Sequence, residues 1–258
     1  MKIEVLVSAM HQADHSLYRR MNLSTDAVII NQCDSLEIQE EEIAGRSVRL
    51  YSCPDRGVGR SRNLALAQAR GDICLFADED MIYVDGYESI VQNAFSRWPQ
   101  ADAILFGVES LNPERPLRPV VKNGRIRARQ ATPYGASQIA FRLNRVLKKN
   151  IWFSLLFGGG ATHGCGEDSI FLQDLFRAGL RVYTCTDKIA DAVQKESSWF
   201  AGFNDTYFYD RGALFAAMYG KRAYLYASYA AYRLARRAGA AFGPVWKLVY
   251  KGIAEFLR

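Results

Sequence analysis

The chain is poor in the residues that usually announce zinc or redox chemistry. Its 258 residues include three histidines and five cysteines (Cys33, Cys53, Cys74, Cys165 and Cys185), an odd number without a CxxC spacing. Neither a disulfide framework nor a cysteine zinc site is therefore expected. No apolar run approaches the roughly eighteen residues of a membrane span. The N-terminus, Met1 to Val7, is too short and too acidic for a secretory signal and reads as a strand. Internal repeats, low-complexity stretches and a serine or cysteine nucleophile elbow are also missing. With 49% hydrophobic and 23% charged residues, the chain is expected to bury a large core and to work in a reducing cytoplasm, soluble or peripheral on the membrane's cytoplasmic face.

What is present concentrates in Arg56 to Tyr83, RGVGRSRNLALAQARGDICLFADEDMIY. Gly57 and Gly59 permit tight turns, and Arg60-Ser61-Arg62-Asn63 opens a segment of helix formers. Exposed N–H groups and guanidinium forks at such a helix end suit phosphate, which makes Arg56, Arg60, Arg62 and Asn63 candidate phosphate contacts. Gly71-Asp72 stops the helix. Ile73 to Ala77 is then a continuous apolar run of buried-strand type, so Asp78-Glu79-Asp80 lies at a strand's carboxyl end, where open α/β sheets bind ligands. Oxygen clusters of this kind favour Mg²⁺ or Mn²⁺. Three acids after a strand also describe a solvated turn, and the preceding basic helix is what favours the site.

Taken together, this stretch resembles the nucleotide-sugar site of family 2 glycosyltransferases with the GT-A fold: a glycine turn, Arg-Asn, a glycine, an apolar strand and Asp-x-Asp. A second segment, Gly164-Cys165-Gly166-Glu167-Asp168 followed by an amphipathic helix to Gly179, looks like the family's Glu-Asp helix. The resemblance covers roughly residues 2–210. It implies an α/β fold, a GT-A (Rossmann-like) mixed-sheet sandwich, with a donor half at about 1–108 and an acceptor half at about 109–210.

The implied activity is inverting transfer of a sugar from a nucleotide diphosphate, a UDP-sugar first, to a hydroxyl on a lipid-linked or cell-surface glycan precursor. Asp168 would be the base, with Glu167 assisting. Asp80 with Asp78 would hold the divalent metal, and Glu79 would contact the donor. The ends of the first two strands imply donor contacts at Ser8, Ala9, Met10, Asn31, Gln32 and Asp34. The second strand departs from the family's usual Asp-Asp ending. The region Ala190 to Trp199 also lacks the histidine many relatives carry, with Gln194 as a replacement.

Gly158 to Gly164 is a glycine-rich segment just before Glu167-Asp168, which makes His163 and Gly164 candidate acceptor contacts, joined by Trp199. His11 and His15 read as loop histidines. Strands are expected at Glu4–Ala9, Ala27–Asn31, Val48–Ser52, Ile73–Ala77, Ala103–Val108 and Arg181–Thr184, and helices near 59–70, 85–97 and 167–178. Leu111 to Arg129, with three prolines and six basic residues, reads as a long loop or edge hairpin whose charge is mostly solvating.

Charge is uneven. Residues 221–258 carry eight Lys or Arg against Glu255 alone, a net +7, leaving −1 for residues 1–220 of a chain at +6. This basic, aromatic tail (211–258) is expected to form helices at about 209–238 and 244–257, with Pro244 in the first turn of the second. It is either a membrane-docking element or a helical hairpin packed on the catalytic domain. Nucleic acid is not expected, because no recognition motif accompanies the charge. The rival functions are a non-enzymatic membrane-surface adaptor on a degenerate GT-A fold and a sugar-phosphate nucleotidyltransferase. The latter should carry a glycine-rich basic loop after its first strand, where this chain has Ser8 to Asp14.

Overall fold

The computed structural model describes residues 1–194 and 202–258. The chain begins with β1 (Ile3–Met10), α1 (Ser16–Arg20), β2 (Asp26–Gln32), β3 (Glu37–Ile43) and β4 (Arg46–Cys53). Next come α2 (Val58–Gln68), β5 (Ile73–Asp78), β6 (Met81–Tyr83), α3 (Tyr87–Arg97) and β7 (Ala103–Ser110). The second half holds β8 (Gly124–Arg125), α4 (Ala128–Ala131), β9 (Ile139–Arg142), α5 (Leu143–Lys148), α6 (Glu167–Arg177) and β10 (Val182–Ala192). It closes with α7 (Asp205–Tyr219), α8 (Ala223–Ala238) and α9 (Phe242–Phe256).

The strands form one sheet in the order β3-β4-β2-β1-β5-β9-β7-β10-β6, with β8 paired to β10. Strands β1, β2, β4 and β5 run parallel, β9 is antiparallel between β5 and β7, and β10 is parallel to β7. All six strands expected from apolar runs are present, as are the three helices. Successive side chains of a strand point to opposite faces. On β1, Val5 and Val7 accordingly join a core with Tyr87, Val91 and Phe95 of α3, while Leu6 joins the opposite core with Ala65 and Leu66 of α2 and Phe171, Leu172 and Leu175 of α6. The sheet is thus the middle of a three-layer α/β sandwich. Phe76, Phe153 and Phe171 pack with ring centroids 4.4–5.4 Å apart. Emptying such a position by Phe171→Ala is expected to cost about 3–5 kcal/mol.

Two local features explain residues in the motif. Glu4 and Arg49 form a fully buried pair at 2.6 Å, and the second oxygen of Glu4 accepts the Arg70 and Gly71 N–H groups at the end of α2. A Cβ on Gly71 would lie 2.8 Å from that of Glu4, so the glycine lets β5 begin against β1. Gly59 plays the same part inside α2, where a Cβ would lie 2.7 Å from the Ser154 carbonyl oxygen.

The tail differs from expectation in one respect. The helix foreseen at 209–238 is two helices, because the chain turns at Gly220 (φ 56°, ψ −142°), a conformation glycine adopts without strain. Helix α7 crosses α9 so closely that a Cβ on Gly212 would lie 2.1 Å from the Val249 oxygen, and one on Gly252 2.1 Å from the Tyr209 oxygen. Leu214, Ala213 and Met218 of α7 pack on Phe157 and on Ile170 of α6, joining these helices to the sandwich. Helix α8 buries the stripe Ala223, Ala227, Ala231 and Ala235 and turns Leu225, Tyr226, Tyr229 and Tyr232 outward. No helix among the described residues is long and apolar enough to cross a membrane.

Candidate active site

Strands β1, β2 and β5 end side by side, with Ser8 in register with Asp78 and Met10 with Gln32. Their carboxyl ends, with the end of β10, line a cavity of about 790 Å³ that holds Ser8, Met10, Gln32, Asp78, Glu79, Asp80 and Gln194. Two residues at this edge adopt left-handed backbone: His11 directly after β1 (φ 53°) and Gln194 after β10 (φ 45°). Such strained positions concentrate at functional sites.

The acidic triplet divides its work. Glu79 accepts hydrogen bonds from the Met10 N–H (3.3 Å) and Gln12 Nε2 (2.7 Å), bracing the loop after β1. Asp80 accepts from the Gln194 N–H at 3.1 Å, and burial followed by repulsion from Asp78 raises its pKa. Asp78 turns both oxygens towards Arg62, 3.0 and 3.4 Å from Nη2. The other terminal nitrogen, Nη1, donates to Asp168 at 2.6 Å and Glu167 at 3.2 Å. Arg62, 4% exposed, thereby joins the acids of β5 to those at the start of α6. Burial opposes its charge, but Asp168, Asp78 and Glu167 outweigh that and keep it protonated.

Burial raises the pKa of both α6 acids. Glu167 is pushed up to about 7, burial being reinforced by the neighbouring Asp168 and opposed by Arg62. Asp168 is raised by burial against the pull of Arg62. A carboxylate with a raised pKa is the stronger proton acceptor once ionised.

The sequence-based candidates fall into distinct places. Ser8, Met10 and Gln32 line the cavity, whereas Ala9 is buried in the sheet core. Gln32 Oε1 also accepts the Gly57 N–H at 2.8 Å, pinning the glycine turn. Asn31 is fully buried, its amide holding the backbone of Gln12 and the Ser52 hydroxyl. Asp34 points to solvent and pairs with Arg56 at 2.5 Å, and Arg56 also donates to the Cys33 and Pro54 carbonyls. Arg60 is exposed, with Asp55 at 4.0 Å. Asn63 clamps the Phe153 backbone through both its amide atoms.

The start of α2 is not the open phosphate cradle that the sequence suggests. The Val58 N–H donates to the Gly159 carbonyl at 3.0 Å, because the glycine-rich segment lies against the helix end. A Cβ on Gly158 would meet Val58 and Glu167 at 2.8–2.9 Å, so only glycine lets the segment pass between them.

His163 is nearly buried and stacks on Phe157, and it shares a hydrogen bond of 2.8 Å with Asp210 of α7. The second Asp210 oxygen accepts the Gly164 N–H at 2.9 Å. Gly164 lines a neighbouring cavity of about 1020 Å³ bounded by Arg115, Cys165, Gln194, Tyr207, Arg211 and Arg237. Trp199 lies outside the described residues. Sequence reasoning missed Gln12, Arg20 and Arg115 in the donor-side cavity. Arg115 belongs to the proline-rich basic segment 111–129, where its position among loop prolines was the only signal.

Among the described residues no group of three or more His, Cys, Asp or Glu is arranged to hold an ion. With Asp78 committed to Arg62, the donor set fits an ion carried in with substrate oxygens rather than a preformed protein cage, the usual situation for Mg²⁺.

No protein-family model and no curated protein sequence matches the chain. Solved structures do. Staphylococcus aureus TarS residues 1–349 in complex with UDP-GlcNAc superposes with a TM-score of 0.64 at 14% identity, over 100% of this chain and 72% of that one. The same TarS fragment with UDP gives a TM-score of 0.60 at 13% identity, over 100% and 71%. Against the longer TarS chain the match has a TM-score of 0.63 at 14% identity and covers 92% of this chain but 43% of that one. The chain therefore has the GT-A fold, as the motif resemblance implied.

Proposed function

We propose that the protein is a nucleotide-sugar-dependent glycosyltransferase of family 2, which moves a sugar from a UDP-sugar to a hydroxyl of a glycan acceptor with inversion. The observation that carries this reading is the Arg62 bridge. One guanidinium holds Asp78, beside the donor-side cavity, and Asp168, the candidate base, at 3.0 and 2.6 Å. The chemistry at the donor and the chemistry at the acceptor are thereby tied to a common point. The TarS complexes with UDP-GlcNAc and UDP add support for a uridine diphosphate donor.

In the proposed reaction the acceptor hydroxyl oxygen attacks the anomeric carbon while the bond to the diphosphate oxygen breaks, its electron pair leaving with the nucleoside diphosphate. Asp168 takes the hydroxyl proton, and Glu167 orients the acceptor. This single displacement needs one base and no enzyme nucleophile. Asp80, with Asp78 behind it, would hold Mg²⁺ or Mn²⁺, which would offset charge developing on the departing diphosphate. Ser8, Met10 and Gln32 would contact the donor, and Arg62 would position the base rather than touch phosphate. The acceptor is proposed to be a lipid-linked or cell-surface glycan precursor.

The test is nucleotide-diphosphate release from a panel of UDP-, GDP- and TDP-sugars with Mn²⁺ or Mg²⁺, for wild type beside Asp80→Ala and Asp168→Asn. Metal-dependent release from one donor, lost in both variants, is expected. Absence of both donor binding and release across the panel would instead favour a surface adaptor.

A further inference from the structure

The tail contains a groove to which none of the residue roles just assigned belongs. A groove of about 810 Å³ runs between α7 and α8, and its walls carry Tyr207, Arg211, Tyr229, Arg233, Arg236 and Arg237. Tyr207, Arg211 and Arg237 also border the cavity that reaches Gly164. That cavity in turn shares Arg115 and Gln194 with the donor-side cavity. The three spaces form a series leading from the strand ends past Gly164 and Cys165, just ahead of α6, to the tail.

Its chemistry is one-sided. Among the described residues no carboxylate comes within ion-pair distance of Arg211, Arg233, Arg236 or Arg237. Among the described residues the carboxylates bordering the middle cavity are Glu114 and Asp210, and both Asp210 oxygens are engaged by His163 and Gly164. Arg211 has a buried Nε with no hydrogen-bond partner, a cost ordinarily avoided. Three guanidinium groups lie over aromatic rings: Arg211 on Tyr207 at 5.0 Å, Arg237 on Phe203 at 5.8 Å and Arg233 on Tyr229 at 6.0 Å. Stacking holds the plane of a guanidinium and leaves its edge to donate, the geometry that recognises phosphate through paired N–H bonds.

We propose that this groove is an acceptor subsite for a phosphate-bearing substrate, in which Arg211 and Arg237 hold a phosphodiester or diphosphate of the acceptor while its hydroxyl reaches Asp168. The assignment rests on the glycosyltransferase reading. Tyrosine faces beside the arginines suit the sugar or chain attached to the phosphate. The phosphate can belong to a soluble glycan or to a lipid head group.

The experiment is calorimetric titration of inorganic pyrophosphate into the full chain already saturated with UDP and Mg²⁺, at low ionic strength. Wild type, Arg211→Gln, Arg237→Gln and Arg129→Gln are compared, with UDP affinity and thermal unfolding measured for each. The expected result is saturable pyrophosphate binding, weakened roughly tenfold or more in the Arg211 and Arg237 variants, as loss of a charge-assisted pair implies. Arg129→Gln and every UDP affinity stay unchanged. Arg237 is exposed, so its variant reports even if Arg211→Gln loses its fold. Normal UDP binding with no pyrophosphate binding, or with binding indifferent to both variants, overturns the subsite and leaves the transferase reading standing. Failure of UDP to bind overturns the UDP-sugar transferase reading and, with it, the acceptor role. Co-sedimentation with phosphatidylcholine vesicles, with and without equimolar phosphatidylglycerol, then assigns the source. Arg237-dependent sedimentation with the anionic vesicles places the phosphate on a lipid; pyrophosphate binding without sedimentation places it on a soluble glycan.

Discussion

The donor-side cavity and the tail groove are built for opposite electrostatic problems. The first presents Asp78, Glu79 and Asp80 at a strand end, balanced by Arg20 and Arg115 on its rim. The second presents four arginines, none paired with a carboxylate among the described residues. An anionic diphosphate entering the first would meet like charge that an accompanying cation would offset, whereas an anion entering the second would be attracted directly. One molecule could thus sort two phosphate-bearing substrates by whether they arrive with a metal.

The strongest way to break this contrast is to remove its pivot. Arg62→Gln leaves Asp78, Glu167 and Asp168 crowded without a cation and is expected to destabilise the fold by about 3–5 kcal/mol, read by urea unfolding. Unchanged stability would mean the three acids are not held as described. Chelation separates the two sites next. Removing divalent cations should weaken UDP binding by roughly a hundredfold, the scale of a like-charge juxtaposition, and leave pyrophosphate binding at the tail intact. Equal losses at both sites would erase the distinction.

A finer test uses pH. Glu167 has a folded pKa of about 7 against an ordinary 4.5. The folded state therefore holds this proton more tightly than the unfolded one, and the stability it contributes is present below about 4.5 and lost as pH rises through about 7. Glu167→Gln should flatten that decline in urea-unfolding free energy, and a slope identical to wild type would exclude the raised pKa. The smallest effect is expected from His11→Gly at the donor-side rim, where relief of the left-handed backbone should stabilise by up to about 1 kcal/mol in thermal unfolding.

The parallel strands were legible because each is a short apolar run covered on both faces, as Val28 to Ile30 illustrates. Strand β3 was not, since Glu37–Ile43 is an exposed edge strand with four glutamates and no apolar alternation. It exists through its two-residue connection to β4, where Ala44 (φ 53°) and Gly45 (φ 76°) adopt the paired left-handed turn that hairpins favour. The acids of the candidate site were readable from their place after β5 and at the head of α6. The occupation of the α2 terminus by Gly159 and the commitment of Arg62 to the α6 acids depend on partners about a hundred residues away. Spacing along the chain carries no trace of those.

The close crossing of α7 and α9 has a mechanical meaning. Gly212 stands two residues beyond Asp210, whose carboxylate holds His163 and Gly164 beside the α6 acids. Even a methyl group at Gly212 or Gly252 must pry the two helix axes apart, and the lever so moved ends at the loop where the acceptor is proposed to sit. A position that looks remote and inert in the sequence is in this sense an adjustment screw for the reaction centre.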